Sequence, residues 1–576
     1  YSLLPRQYIA TELFERVEVL RGASAFLTGA NPGGGGIGGA INLLPKRAPN
    51  EPLTRVTTGI ASGGQGNVAA DIARRFGPDG ATGIRVNAAY RDGGTAVDDE
   101  RATLGLASVG LDWRSRAVRL SGDIGYQDNR LKETRPNVSL GFGLAAVPGA
   151  PDASSNFAQP WTYSNERDLF GTVRGEWDIT PALTAWGAYG HRGSEEANSL
   201  SVITVNDAAT GAASAFRFDN DREDSVDTGE IGLRWKGRTG GVGHEIVGAA
   251  SWFHSEIDTA FSFGGFLATS LYRPTAYPAP AIPPVPPVGR TGETRLTSFA
   301  LGDTLSMLDD RLLLTLGLRH QKLDVMSFGT RYENTRTSPA AGVVWRASKE
   351  LSLYANYIEG LTAGETAPST AVNAGQQLQP YVSKQKEIGV KYDGGRLGGG
   401  VALFSTSRPR AFVNSANVFT EGGEDRHQGV ELTAYGEPMR GVRVLGGATW
   451  LDARQRSTGS AATDGRRVIG VPEFQATLGA EWEVRAASGL ALDARVVHTG
   501  SSYADAANTL RAPGWTRLDI GARYLVEVAG KPVTLRARVD NVTDRDYWAS
   551  TGGFPGAGYL VVGAPRTFSL SASVDF

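Results

Sequence analysis

From about residue 53 onward one theme repeats: a segment of about ten residues alternates apolar and polar side chains, a turn follows, and another such segment begins. The last segment is the cleanest. In TFSLSASVDF, Phe568, Leu570, Ala572, Val574 and Phe576 share one face, and Thr567, Ser569, Ser571, Ser573 and Asp575 share the other. EFQATLGAEWEV sets Phe474, Ala476, Leu478, Ala480, Trp482 and Val484 against Glu473, Gln475, Thr477, Glu481 and Glu483. TLRARVD sets Leu535, Ala537 and Val539 against Arg536, Arg538 and Asp540. A period of two predicts strands. Charges on one face and lipid-compatible side chains on the other predict a membrane wall around a wet lumen.

The connections alternate in length. Short ones fall at Asp309-Asp310-Arg311, Lys349-Glu350, Met439-Arg440-Gly441 and Gly530-Lys531-Pro532. Long ones run near 128–168, 193–226, 260–295, 360–384, 407–428, 453–472 and 545–565. Outer-membrane barrels have short periplasmic turns and long outer loops. About nine strands precede residue 295 and about thirteen follow, twenty-two in all, the even number such barrels use. The predicted fold is therefore an all-β membrane protein, a 22-stranded antiparallel transmembrane β-barrel. A sheet in lipid cannot leave an edge unpaired, so closure is forced. A barrel this wide leaves a lumen that needs filling. The segment 274–289, PTAYPAPAIPPVPPVG, cannot join a ladder because proline lacks the N–H. It reads as outer loop with polyproline II character, a stiff spacer or a ligand or partner contact.

Composition sharpens this reading. The 576 residues are 41% hydrophobic and 20% charged, with mean hydropathy −0.22, too polar for a bundle of membrane helices. No stretch reaches the roughly 18 apolar residues a spanning helix needs. Basic and acidic residues nearly balance, 58 against 60, which removes the electrostatic case for nucleic acid. Cysteine is absent, which excludes disulfides and thiolate metal sites. No secretory signal is visible, and the start at Tyr1-Ser2-Leu3 falls mid-pattern, as in a partial N-terminus.

Several motifs fail on context. Gly34, Gly36 and Gly39 satisfy G-x-G-x-x-G, but Pro45 and Pro49 forbid the helix a dinucleotide site needs. The six histidines (His191, His244, His254, His320, His427 and His498) lie far apart, and no metal triad is predicted. The run DNDREDSVDTGE (219–230) spaces its carboxylates somewhat like a calcium loop, but Asp224 stands where the turn glycine belongs; a solvated outer loop is expected. Asn541-Val542-Thr543 is a sequon by pattern only, and no nucleophile elbow or paired-carboxylate site stands out.

The first fifty residues are different. FERVEVLRGASAFLTGANPGGGGIGGAINLLPKR (14–47) has alternating Val17 and Val19, then Arg21-Gly22, a glycine-rich turn, Gly39-Ala40-Ile41-Asn42 and Lys46-Arg47. It resembles the late plug segment of TonB-dependent outer-membrane receptors. NVTDRDYW (541–548), GAPRTFSL (563–570) and the terminal Phe576 resemble the last two strands of the siderophore-receptor branch, and LYANYIEG (353–360), KEIGVKY (386–392) and RHQGVELTAYGEP (426–438) agree in order. Three positions depart from the family: Ala23 where it has Pro, Thr28 where it has Tyr, and Pro45 where it has Thr.

The resemblance implies a C-terminal part of a plug over 1–50 inside the lumen of a barrel over 51–576. The family's TonB box and most of its plug are expected to fall outside this stretch, which as it stands is not expected to be energised. It implies TonB-dependent import of ferric siderophores across the bacterial outer membrane, with TonB and its ExbB–ExbD motor, the siderophore, outer-membrane lipid and lipopolysaccharide, and the barrel-assembly machinery as partners of a monomer. No enzyme activity, resident cofactor or protein-bound metal is expected, since iron arrives chelated. Other cargo (cobalamin, haem or glycan) and a passive or structural barrel are the alternatives; no paired-His loop pattern speaks for haem. Cargo contacts expected by loop position are Trp161, Tyr163, Arg217, Tyr272, Tyr277, Tyr503, Trp548 and Tyr559, against the reading that such aromatics form interfacial girdles. Arg16, Glu18, Arg21, Gly22, Gly39 and Asn42 carry the plug motif, with Arg16, Glu18 and Arg21 expected to pair with wall charges, so that Arg21→Ala loosens the plug. Phe576 is the expected outer-membrane assembly signal.

Overall fold

The computed structural model describes residues 3, 7–21, 38–368, 370–554 and 557–576. Twenty-two antiparallel strands close into a barrel, from Leu53–Ala61 to Thr567–Asp575. Nine wall strands end by Ser270 and thirteen begin from Gly289 onward, the division the alternation predicted. The final strand pairs with the first, Ser569 opposite Ala61 down to Asp575 opposite Arg55. Arg55 grips Asp575 at 2.5 and 2.7 Å across this seam, and the Phe576 N–H donates to the Thr54 carbonyl. Both charged groups are half exposed, so the backbone ladder, not the ion pair, supplies most of the closure.

Alternation assigns the faces. In the strand Thr82–Gly94, Val86 and Tyr90 are exposed toward lipid, while Arg85 and Asn87 are buried on the lumen side. Short turns close one rim. At Ala529-Gly530 both residues take positive φ (50° and 76°), the left-handed pair that a two-residue hairpin requires.

Two expected loops are not loops. Strands Leu183–Val205 and Ala212–Thr239 pair without a break, leaving only 206–211 as the connection, so most of 193–226 is ladder. Strands Leu397–Val413 and Phe419–Met439 likewise reduce 407–428 to a connection at 414–418. The acidic run 219–230 is strand, not a solvated loop. Beyond the lipid a ladder needs no apolar face, so both faces turn polar and the segment looks like loop. Its charges meet locally instead: Arg222 Nε lies 2.9 Å from Asp224, and His191 Nδ1 lies 2.9 Å from Asp227. The proline-rich segment does leave the ladder over 271–288, and lies against the tops of these strands. Arg217 donates to the Pro280 carbonyl and Ser262 to that of Pro283.

The outer loops build a roof. Phe157, Ile203, Leu271, Leu510, Trp548 and Leu560, from five separate stretches, form one apolar core. Arg135 ties it, donating to the carbonyls of Ala153 (2.6 Å), Ser155 (3.1 Å) and Gly563 (3.0 Å); burial pulls its guanidinium below the usual value. A second, smaller core packs the loop residues Ala367 and Leu378 against Tyr381, Ala411 and Phe419 at the tops of the neighbouring strands.

Candidate functional site

Ahead of the barrel, Phe14–Arg21 and Gly39–Pro45 form an antiparallel hairpin, with Val17 opposite Leu43 and Val19 opposite Ile41. Pro45 closes its second strand opposite Phe14. This segment is fastened to the lumen face of the early wall strands. Lys46 Nζ donates to Asn87 (2.8 Å) and to Asp71 (3.2 Å). Arg47 grips Asp123 with both guanidinium nitrogens, one at 2.6 Å. Arg85 is the hub: it holds Asp71 at 2.8 Å twice, Glu15 at 2.6 Å and the Arg47 carbonyl at 2.8 Å. Arg91 pairs with Glu12.

Farther up, buried Gln127 reads the backbone, donating to the Tyr8 carbonyl (2.7 Å) and accepting from the Ala10 N–H (3.0 Å). Arg192, also buried, donates to the Leu3 carbonyl at 2.8 Å and to Asp168 at 3.1 Å. Two wall glycines allow the close approach. A Cβ on Gly110 would stand 2.7 Å from the Lys46 carbonyl, and one on Gly83 would stand 2.9 Å from the Ala48 Cβ. Between hairpin and wall lies a cavity of about 630 Å³ lined by Ile41, Leu44, Lys46, Asn87, Asp123 and Arg192.

The predicted wall contacts of Arg16 and Glu18 are replaced by a pair between them, 2.5 Å apart, and Asn42 donates to Glu18 at 3.0 Å. Glu18 faces Asn42 across the hairpin ladder, so this face satisfies itself locally. The clamp instead uses Glu12, Glu15, Lys46 and Arg47. Gly39 opens the second hairpin strand. The Arg21 side chain, Gly22, Ala23, Thr28, Gly34 and Gly36 lie outside the described residues.

The expected cargo contacts divide. Trp548 is 2% exposed and donates to the Pro148 carbonyl at 2.8 Å, so it packs the roof instead of offering a ring to cargo. Arg217 belongs to a strand, not a loop, and is held by Asp219 at 2.6 and 2.9 Å. Its guanidinium lies 5.4 Å from the Trp161 ring centre. Tyr277 joins this group, its N–H donating to Gln159 and its hydroxyl to the Ala268 carbonyl. Tyr272 donates to the Gly149 carbonyl at 3.1 Å. Tyr503 sits in a two-residue strand against Arg511. Tyr163 and Tyr559 keep more than a third of their surface exposed at strand positions. Phe576 is exposed at the short-turn rim, with Lys531 5.9 Å from its ring centre.

One cluster was not foreseen from the scattered histidines. His254, Glu256 and Glu293 present ligand atoms within 4.8 Å of one another. Arginines already hold both carboxylates: Arg290 reaches Glu256 at 2.9 Å and Arg295 reaches Glu293 at 2.5 Å.

The arrangement can hold an internal segment by ion pairs under a packed roof. Comparison with known proteins bears on what such a device does. A family model described as TonB dependent receptor-like, beta-barrel matches residues 53–542. The chain is 36% identical to the ferrichrome receptor FcuA of Yersinia enterocolitica, over 100% of this chain and 78% of that protein. Among solved structures it is similar to BauA, the ferric preacinetobactin receptor of Acinetobacter baumannii, with TM-score 0.91, 34% identity, and 99% and 86% of the two chains covered. The siderophore receptor PiuA of the same species shares the fold at TM-score 0.85 and 18% identity, with 98% and 87% covered.

Proposed function

We propose, from the premise that this chain belongs to the TonB-dependent receptors of the bacterial outer membrane, that it imports ferric siderophores at the expense of energy delivered by TonB. The observation that carries this reading is the clamp. A passive pore has no use for a segment fastened to its inner wall by Arg47–Asp123, Arg85–Glu15 and Lys46–Asp71. We read residues 1–50 as the C-terminal part of a plug and 51–576 as the barrel around it. Two relatives that match the chain over almost its whole length carry the names of ferrichrome and ferric preacinetobactin receptors.

In this reading cargo lands on the outer loops, where Trp161, Tyr163, Tyr277 and Tyr559 supply aromatic area. Binding shifts the plug, and TonB, driven by ExbB–ExbD, pulls it against the clamp. Charge-assisted pairs suit a clamp that must also release. Each holds firmly at rest, yet each is a discrete bond that water can replace once the segment moves. The barrel-assembly machinery inserts the chain, which works as a monomer among lipid and lipopolysaccharide. Iron is cargo, already chelated.

The test is a fluorescence titration of the full-length gene product in detergent with ferric hydroxamate and ferric catecholate siderophores, haem and cobalamin. Eleven tryptophans provide the signal. Saturable quenching at submicromolar concentration by one ferric siderophore, and not by its iron-free form, is expected. Quenching by haem or cobalamin alone would sink the siderophore assignment and leave the family intact.

A further inference from the structure

High on the lumen side of the wall, one carboxyl group is buried without a cation. The strand Tyr163–Thr180 turns Leu169, Val173 and Trp177 out to lipid. Above them its outward positions are Arg167 and Asn165, so Glu166 lies beyond the apolar belt. Its side chain points inward and is 3% exposed. Asn129, on the strand Val118–Lys132, stands opposite it on one side, and Glu196, on Leu183–Val205, stands opposite it on the other. Glu196 is buried as well. Like charges directly opposite destabilise a ladder, and burial adds a desolvation cost for each ionised group.

The nearby cations are engaged elsewhere. Arg192 gives its guanidinium to Asp168 at 3.1 Å and to the Leu3 carbonyl at 2.8 Å. Arg222, opposite Glu196 on Ala212–Thr239, lies 2.9 Å from Asp224. Asp168, on the same strand as Glu166, adds negative charge. The inner segment brings Gln7 and Tyr8, with Arg91 and Glu100 near the Tyr8 ring. Among the described residues no cation forms an ion pair with Glu166, and its Oε2 has no hydrogen-bond partner. A carboxylate in such a place takes up a proton to shed its charge. Burial first, then the charges of Asp168 and Glu196, push its carboxyl up to about 7.

The cover over this carboxyl is the inner segment itself. Gln7 spans the two glutamates: its backbone N–H donates to Glu166 Oε1 at 3.4 Å, and its side-chain amide donates to Glu196 at 3.2 Å. Gln127 holds the next residues, Tyr8 by its carbonyl and Ala10 by its N–H. While the segment is seated, water is kept from Glu166. Once it lifts, the carboxyl faces the lumen and returns toward the ordinary glutamate range. Seating and protonation are therefore linked.

We propose that Glu166 is a proton-operated catch for the start of the inner segment: the neutral carboxyl lets Gln7 and Tyr8 seat, and its ionisation releases them. With the segment lifted, the group ionises near the ordinary 4.5; with the segment seated, it ionises near 7. Below the first value both states hold the proton, and pH has no effect. Between the two, seating requires proton uptake and weakens as pH rises. Above about 7 the whole penalty applies. The other end of the segment behaves in the opposite way, because Arg47–Asp123 and Lys46–Asp71 hold only while their carboxylates stay ionised. Acid thus tightens the first contacts and alkali frees them, while the clamp at Lys46 and Arg47 stays closed. The inference rests on the seating of the inner segment and not on the identity of the cargo.

The experiment uses the full-length receptor in detergent. Amide hydrogen exchange of the peptide holding residues 7–10 is followed by mass spectrometry from about pH 5.5 to about pH 8.5, and each rate is divided by the intrinsic exchange rate at that pH. A pKa difference of one is a factor of ten in the linked equilibrium, so opening of this stretch should rise about tenfold or more across the range. Glu166→Gln keeps the shape of the neutral carboxyl and cannot ionise, so its profile should be flat. The infrared spectrum of the natural protein, less that of the variant, should show a protonated-carboxyl band that titrates near pH 7. A profile in Glu166→Gln as steep as the natural one overturns the proposal, as does the absence of that band. So does a flat profile in the natural protein, a result that needs no variant. Opening that follows added calcium instead of pH also overturns it, since the carboxyl would then hold a metal cation and not a proton.

Discussion

The two halves of the lumen wall differ in how far their charges reach. The early strands pair some inward charges within the wall, as in Arg75–Asp112, Arg85–Asp71 and Arg119–Glu176, but others reach across to the inner segment: Asp123 to Arg47, Asp71 to Lys46, Arg85 to Glu15, Arg91 to Glu12. On the late strands they reach along and across the wall to each other. Asp519, fully buried, takes Arg495 at 2.8 Å, Arg517 at 3.0 Å and the Asn541 N–H at 2.9 Å. Arg538 holds Asp540 at 2.8 Å and Asp493 at 3.3 Å, and Arg443 holds Glu483 at 2.9 Å. A bond within one ladder can break only if the sheet deforms. A bond between wall and inner segment can break while the sheet stays whole. The same chemistry therefore reinforces the barrel on one side and makes a releasable latch on the other.

The sharpest way to break this comparison is to remove a buried carboxylate on each side. Asp519→Ala leaves Arg495 and Arg517 without their shared partner and orphans a backbone N–H. Losing one member of a buried ionic group costs about 3–5 kcal/mol. The barrel's thermal unfolding, read by its heat-dependent gel mobility, should shift strongly downward, with the inner segment as well held as before below that transition. If Asp519→Ala releases the inner segment and leaves unfolding unmoved, the late wall is not a self-contained brace.

Asp123→Ala should do the reverse. Its carboxylate is 9% exposed, but Arg47 is a third exposed, so water compensates part of the loss. A charged hydrogen-bonded pair of this kind contributes about 1.5–3 kcal/mol. Barrel unfolding should stay within a degree or two of the natural protein by the usual scaling. Large-antibiotic entry into cells carrying the full-length variant should rise. Normal exclusion together with a lowered unfolding temperature would show Asp123 to be a wall brace instead.

How far this was readable beforehand depends on whether a signal is local. The strands Thr567–Asp575 and Lys531–Asp540 announce themselves, because lipid on one face and water on the other impose a period of two. Ala212–Thr239 does not, since its upper half meets water on both faces and loses the period while keeping the ladder. Lys46 and Arg47 were visible as a motif, yet Asp71, Arg85 and Asp123 stand on three other strands, and only the closed register brings them together. Trp548 fails for a related reason. A loop aromatic is a contact for cargo or a packing residue according to how five loops meet, and that is not written near residue 548.

The smallest effect should come from the outermost latch. Arg91 and Glu12 are 38% and 30% exposed, so water screens both and the pair contributes about 0–1 kcal/mol. Glu12→Gln keeps the shape of the side chain and removes its charge. Antibiotic exclusion and barrel unfolding should match the natural protein at physiological salt. A slight loosening should emerge only at low ionic strength, where an exposed pair is least screened and its loss is most felt. Limited proteolysis of the inner segment across a salt series reads this directly. If Glu12→Gln loosens the segment as much as Asp123→Ala at every salt concentration, burial does not rank the latches. The clamp would then act as one cooperative unit, its bonds failing together under the pull from the periplasm.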